Sequence, residues 1–209
     1  MEEPGGVDAE PGRRLRLAIE RIDDLTRGRR PTGLSHDDDL GDEGTIASDD
    51  AIGFDPLPVL RALAEQDAPA VVMGQVAGIM HGSTELTGDL DLLWSGDWKD
   101  GRPMAAAFTT LRAELFDDDH HRLEQTPAAF AMPKVFFKTA SASGDCCTPR
   151  LPWGDLDVGA MLVRAESAQI DGALVRYLAV DDLIAMRRAS ARVKDLRRLQ
   201  ELERLRVTG

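Results

Sequence analysis

Two short apolar runs in this chain each carry a pair of aspartates one residue apart. Asp89 and Asp91 sit in GDLDLLW, and Asp155 and Asp157 sit in GDLDV. Asp is a poor strand former, and a buried carboxylate without a partner is costly. Side chains two apart on a strand share a face, so each pair would project together. In the first run Leu90, Leu92 and Trp94 would then take the opposite face. Carboxylates held side by side repel unless a cation lies between them. The pattern therefore demands either strand ends that face water or a sheet face that binds a hard cation such as Mg2+, which takes carboxylate oxygens and shares its shell with phosphates.

At 209 residues the chain is long enough for one domain with a real core. No run approaches the roughly 20 apolar residues of a membrane span. The opening MEEPGGVDAE is acidic and lacks the apolar centre of a signal peptide. Cys146 and Cys147 are adjacent, which makes a poor staple and a poor zinc site; a reduced, cytoplasmic chain is expected. The net charge of -12 argues against a general nucleic-acid binder. The acidic excess lies mainly in the N-terminal quarter, however, and Arg176 to Arg206 is net basic and suited to face a phosphate.

Apolar residues Leu15, Ile19, Ile22 and Leu25 predict a helix over 13–26. Residues 28–55 read as a mobile linker, with Pro31, Gly33, Gly41, Gly44 and the run Asp37-Asp38-Asp39. That run lacks the glycine and distal glutamate of a calcium loop. The expected division is thus an N-terminal helix and acidic linker over 1–53, then a domain over 54–209. DPLPVLRALAEQ predicts a helix capped by Asp55 with Pro56 at its start. PAVVMG reads as a strand, QVAGIMHG as a helix and GDLDLLW as a second strand. RPMAAAFTTLRAELF reads as a helix; KVFFKTA, GDLDVGAMLV and ALVRYLAV read as strands; the chain from Asp181 onward reads as helical. The expected class is α+β, a small mixed sheet with packed helices and a C-terminal helical segment.

Gly74 falls at a strand–helix junction, where a helix N-terminus offers N–H groups and a favourable dipole to a phosphate. The carboxylates of the next strand would face it. Met73-Gly74-Gln75, then residues 76–88, then Asp89-Leu90-Asp91-Leu92 resembles the motif of the polymerase-β-type nucleotidyltransferase superfamily. The likeness is to its small prokaryotic members, the minimal and AbiEii-like nucleotidyltransferases. Asp157 matches the place of that family's third carboxylate. The tail YLAVDDLIAMRRASARVKDLRRLQELERL is similar to the family ending, with Arg187, Arg192, Lys194 and Asp195 at matching places. The resemblance covers Ala70–Leu93 and Leu151–Leu205, and none of residues 1–53.

The resemblance implies a palm-like sheet and transfer of a nucleoside monophosphate from a nucleoside triphosphate to an acceptor hydroxyl. It implies Mg2+ or Mn2+ held by Asp89, Asp91 and Asp157. Gly74, Gln75, Arg187, Arg192 and Lys194 are the implied nucleotide-binding residues. The acceptor would be an RNA end such as that of tRNA, a protein or a small molecule, with no membrane involved. The toxin-type members imply an antitoxin partner. Gln75 departs from the Gly or Ser of the pattern: its bulk would obstruct the phosphates, or its amide would donate to them. The alternative is a catalytically weak relative that binds nucleotide or a partner protein as a regulator, and for the tail residues a solvated basic helix face.

The remaining signals read as structural. His81 is expected to pack or cap, and DDDHH (Asp117 to His121) to form a solvated helix end. Trp94 and Trp153 are expected in the core or at the site edge. Lys134 and Lys138 flank Val135, Phe136 and Phe137 on a strand near the site, as edge-strand charges.

Overall fold

In the computed structural model, residues 10–34, 46–190 and 193–208 are described, with side-chain placement for all of these except 193, 194 and 208. The described residues form an α+β structure built on one mixed sheet of eight strands. The elements run α1 (Glu10–Thr26), α2 (Leu57–Glu65), β1 (Val71–Val72), α3 (Gly74–Met80), β2 (Leu92–Leu93), α4 (Gly101–Thr110), β3 (Glu114–Phe116) and β4 (Arg122–Leu123). They continue with α5 (Pro127–Phe130), β5 (Lys134–Lys138), β6 (Ser143–Cys147), α6 (Val158–Arg164), β7 (Glu166–Ile170), β8 (Ala173–Tyr177), α7 (Val180–Ser190) and α8 (Val193–Thr208). Strand order is β4-β3-β5-β6-β2-β1-β8-β7, with β1∥β8 and β2∥β6 parallel and every other pairing antiparallel.

β5 illustrates how alternation builds the sheet. Val135 and Phe137 are buried, while Lys134, Phe136 and Lys138 take the other face. The buried face of β5 meets Phe108 of α4, 4.9 Å from the Phe137 ring, and Phe108 in turn meets Phe130 of α5. β7 and β8 join through Asp171-Gly172, both at positive φ, the pairing that a two-residue hairpin turn requires. α2 starts at Leu57, one residue later than expected, with Pro56 at the cap position; Asp55 Oδ1 still accepts from the Leu57 N–H at 2.9 Å.

Several expectations change. GDLDV is not a strand. Residues 154–155 turn, with Gly154 at φ +63, and Asp157 then caps α6, its Oδ1 accepting from the Ala160 N–H at 2.9 Å. RPMAAAFTTLRAELF divides: α4 ends at Thr110, Arg112 takes a positive φ, and Glu114–Phe116 becomes β3. DDDHH is the β3–β4 hairpin turn and not a helix end; Asp117 Oδ1 accepts from the N–H of Asp119 and of His121.

The N-terminal region joins the same core. Leu15, Ala18 and Ile22 of α1 are buried, and α1 packs against α3 and β7. Residues 46–55 of the expected mobile linker are likewise held. Ala51 and Phe54 are buried, and a Cβ on Gly88 would lie 2.6 Å from the Ala51 backbone. The remainder of that linker, including Asp37-Asp38-Asp39, lies outside the described residues apart from 28–34. No described helix is long and apolar enough to cross a membrane.

Candidate functional site

The expected β1–α3–β2 unit is present, and it positions the first two carboxylates. Residues 89–91 run extended into β2 and are held on both sides: the Leu90 N–H donates to Ser143 O at 2.9 Å, and the Met73 N–H donates to Asp91 O at 2.9 Å. Leu90 is fully buried and Asp89 is 9% exposed, with Thr87 Oγ1 donating to its carboxylate. Gly74 opens α3 at φ +64. Asp91 lies directly against it, so that a Cβ on Gly74 would overlap Oδ2 of Asp91 and lie 2.9 Å from its Cγ. The space that the glycine leaves is therefore taken by a carboxylate.

The cavity that Asp89 and Asp91 line is shared by Asp145 and Asp50, and not by Asp157. The parallel register Leu92↔Cys146 and Leu93↔Cys147 sets Asp145 beside Asp91, one residue before each paired position. Close approach of β6 to β2 requires glycine at 144, where a Cβ would overlap Leu90 O. Asp89, Asp91 and Asp145 line one cavity of about 350 Å³, together with Asp50, Ser143, Lys138, Phe116, Phe136 and His120. Asp157 is exposed beside Arg164, spends its carboxylate on the α6 cap and does not line this cavity. Asp155 is also exposed, in the preceding turn. A larger groove, about 510 Å³ between α2 and β8, includes none of the predicted site residues.

The electrostatics follow from this clustering. Burial pushes the Asp91 carboxyl well above its ordinary range, and the charges of Asp89 and Asp145 push it further, against Arg187 and Arg198. Lys134 Nζ lies 3.2 Å from Asp145 Oδ2 and 3.8 Å from the centre of the Phe136 ring. Carboxylate oxygens are the donors that Mg2+ or Mn2+ takes in preference to a soft metal, so the residue types suit the implied ion; among the described residues, however, the three side chains that bring ligand atoms within 4.8 Å of one another are Asp117, Asp119 and His121.

Gln75 and the tail sit behind this site. Gln75 is buried; its Nε2 donates to Ser83 Oγ at 2.8 Å and to Glu85 O at 2.7 Å, and its Oε1 accepts from Arg187 Nη2 at 3.2 Å. The side chain is turned inward, so neither expectation for it, obstruction of phosphates or donation to them, describes its contacts. Arg187 is only 6% exposed and is paired with Asp195, which also accepts from Ser190 Oγ at 2.6 Å. Burial lowers the Arg187 pKa, as does the neighbouring charge of Arg198, which itself donates from Nε to Glu85 Oε1 at 2.6 Å. The expected phosphate ligand Arg187 is thus a buried strut. Arg192 and the Lys194 side chain lie outside the described residues.

His81 packs as expected, its Nε2 2.8 Å from Leu178 O and its ring 5.0 Å from Tyr177. Trp94 is fully buried with its indole N–H on Phe130 O, and Trp153 donates to Thr148 O. Asp117, Asp119 and His121 bring ligand atoms within 4.8 Å of one another, but Asp117 is already engaged in organising its hairpin. Sequence reading missed Asp145 and Arg198. A weak signal existed for Asp145: it stands two residues beyond Ser143 in a short run that ends in two buried cysteines. No protein-family model matches this chain, and no curated protein matches it.

Proposed function

We propose that the chain is a metal-dependent nucleotidyltransferase with a palm-like site: an acceptor hydroxyl attacks the α-phosphorus of a nucleoside triphosphate, the bond to the β-phosphate breaks, the nucleoside monophosphate is transferred and pyrophosphate leaves. The observation that carries this reading is that Asp89, Asp91 and Asp145 line one cavity, the first two in the run that leads into β2 and the third on the paired strand β6, with Asp91 seated on Gly74. Asp89, Asp91 and Asp145 would hold Mg2+ or Mn2+. When bound, such an ion neutralises triphosphate charge and polarises the phosphoryl group.

The chain's own residues supply position and proton handling. Thr87 orients the Asp89 carboxylate. Gly74 and the backbone bonds of residues 90 and 91 fix where Asp91 points. Asp145, whose Oδ2 lies 3.2 Å from Lys134 Nζ, would accept the proton of an acceptor hydroxyl. Positioning and charge neutralisation would supply most of the rate, as in phosphoryl transfer generally.

Label transfer tests this. Purified protein is incubated with each α-labelled nucleoside triphosphate, Mg2+ or Mn2+, total RNA and protein extract, beside an Asp89→Ala/Asp91→Ala control. Label on a macromolecule, absent in the control, supports the reading and shows whether RNA or protein is the acceptor. Absence of both label and Mg2+-dependent triphosphate binding sinks it.

A further inference from the structure

Beside its carboxylates, the cavity is lined by the aromatic residues Phe116, Phe136 and His120. Phe116 of β3 and Phe136 of β5 are register partners, so their side chains stand on the same face of the sheet. Phe136 is in turn the register partner of Asp145, which places the rings beyond the carboxylates along one line of neighbouring strands, β2, β6, β5 and β3. Both phenyl groups are only half-buried, unlike Leu115 and Phe137 on the opposite face. His120, held at φ +59 in the β3–β4 turn, brings its imidazole to 6.0 Å from the Phe136 ring, tilted by 32°. Lys138, Ser143 and Asp50 add polar groups to the same wall, Ser143 Oγ donating to Asp50 Oδ1 at 2.8 Å.

We infer that Phe116, Phe136 and His120 form a subsite for the nucleobase of a nucleotide. Four features select that occupant. Flat rings on one wall suit a planar heteroaromatic group, which would stack on Phe116 and on the face of Phe136 away from Lys134 Nζ, 3.8 Å from that ring's centre; stacking of bases on aromatic side chains tolerates any base. Polar groups beside the rings offer donors and acceptors to a base edge, which a purely aliphatic ligand would leave unused. The volume of about 350 Å³ is near the small end for ligand pockets and suits a single nucleotide. The carboxylates that share the cavity suit a ligand whose anionic group is carried in with a cation, which a nucleotide supplies. The inference rests on the nucleotidyltransferase reading for its phosphate end, and on the rings alone for its base end.

Calorimetric titration separates the two ends. The probes are tripolyphosphate and each of the four nucleoside triphosphates, all with Mg2+, and the four free nucleosides. The proteins are the wild type, Phe116→Leu and Phe136→Leu, which keep an apolar side chain but lose the ring, and Phe136→Tyr, which keeps it. The expected result is triphosphate binding roughly fivefold to hundredfold tighter for nucleotides than for tripolyphosphate, the range that base stacking gives. That preference should be lost in the Leu variants and kept in Phe136→Tyr, with tripolyphosphate binding unchanged throughout. Equal binding of nucleotides and tripolyphosphate, or a preference that survives both Leu variants, overturns the subsite and leaves the transferase reading standing. If neither nucleotides nor tripolyphosphate bind, the transferase reading fails, and the nucleosides decide. Saturable nucleoside binding that Phe136→Leu removes keeps the subsite; no nucleoside binding overturns it.

Discussion

The carboxylate of Asp91 rests on the Cα of Gly74, in the space that any other residue's Cβ would fill. Gly74 is also held at φ +64, a conformation that costs an L-residue about 1–2 kcal/mol. Gly74→Ala should therefore lose that backbone energy and also displace Asp91. Gly154 gives the comparison: its φ is +63 and nothing lies within 4 Å of its Cβ position. Gly154→Ala should lose stability alone, by about 1 kcal/mol. Thermal unfolding and label transfer measured on both variants should show activity lost only in Gly74→Ala. Equal activity in the two would detach Gly74 from the site.

Asp91 itself carries a cost that follows from its neighbours. Its carboxyl is pushed up by burial first and by Asp89 and Asp145 next. A carboxyl whose pKa is raised on folding holds its proton in the native state over a range where the unfolded chain, titrating near 4, has released it. Stability must then fall as pH rises from about 4 through the raised native pKa. Asp91→Asn removes this slope and should melt higher at neutral pH, by about 2–4 °C for each kcal/mol regained. The same variant should be inactive in label transfer, a gain in stability at the expense of function. Melting curves of wild type and Asp91→Asn from pH 4 to pH 8 check the sign; parallel curves would contradict it.

Asp145 and Asp157 separate a site carboxylate from a helix cap. Asp157→Ala should lose about 1 kcal/mol, the usual worth of an N-cap, with activity retained. Asp145→Ala should abolish label transfer and weaken Mg2+-dependent triphosphate binding at least tenfold. Activity lost in Asp157→Ala and kept in Asp145→Ala would restore the sequence-based assignment.

How much of this was legible depended on where the local pattern agreed with the final pairing. Val71, Val72 and Gly74, followed by the apolar run of α3, read correctly because propensity and packing coincide there. β5 read correctly because its alternation is clean. β6 did not, since Ser143, Gly144 and Asp145 have no strand propensity of their own; the segment is extended because both β2 and β5 bond to it. Asp145 was hidden for that reason. GDLDV misled in the opposite direction, because D-x-D fits a strand face while an Asp followed by Val158, Met161 and Leu162 fits a capped helix equally well. Arg187 was identified as a cation that matters, but only its partner, Asp195 in α8, shows that it faces inward.

The buried pair of Arg187 and Asp195 makes the tail a structural support of the site. Arg187 is 6% exposed and Asp195 is fully buried, and Gln75 ties the pair to α3. Removing Arg187 takes the ion-pair partner from the buried Asp195 and leaves Ser190 among its donors, a loss of up to about 3–5 kcal/mol. Arg187→Met should therefore destabilise strongly and melt well below the wild type. Gln75→Ala leaves the ion pair in place but removes one acceptor from Arg187 and the donor to Ser83 and Glu85, a loss of about 1–3 kcal/mol. Because Gln75 points away from the cavity, the folded fraction of Gln75→Ala should keep its KM for the nucleoside triphosphate while its urea midpoint falls. A KM raised tenfold with an unchanged midpoint would instead make Gln75 a ligand of the phosphates.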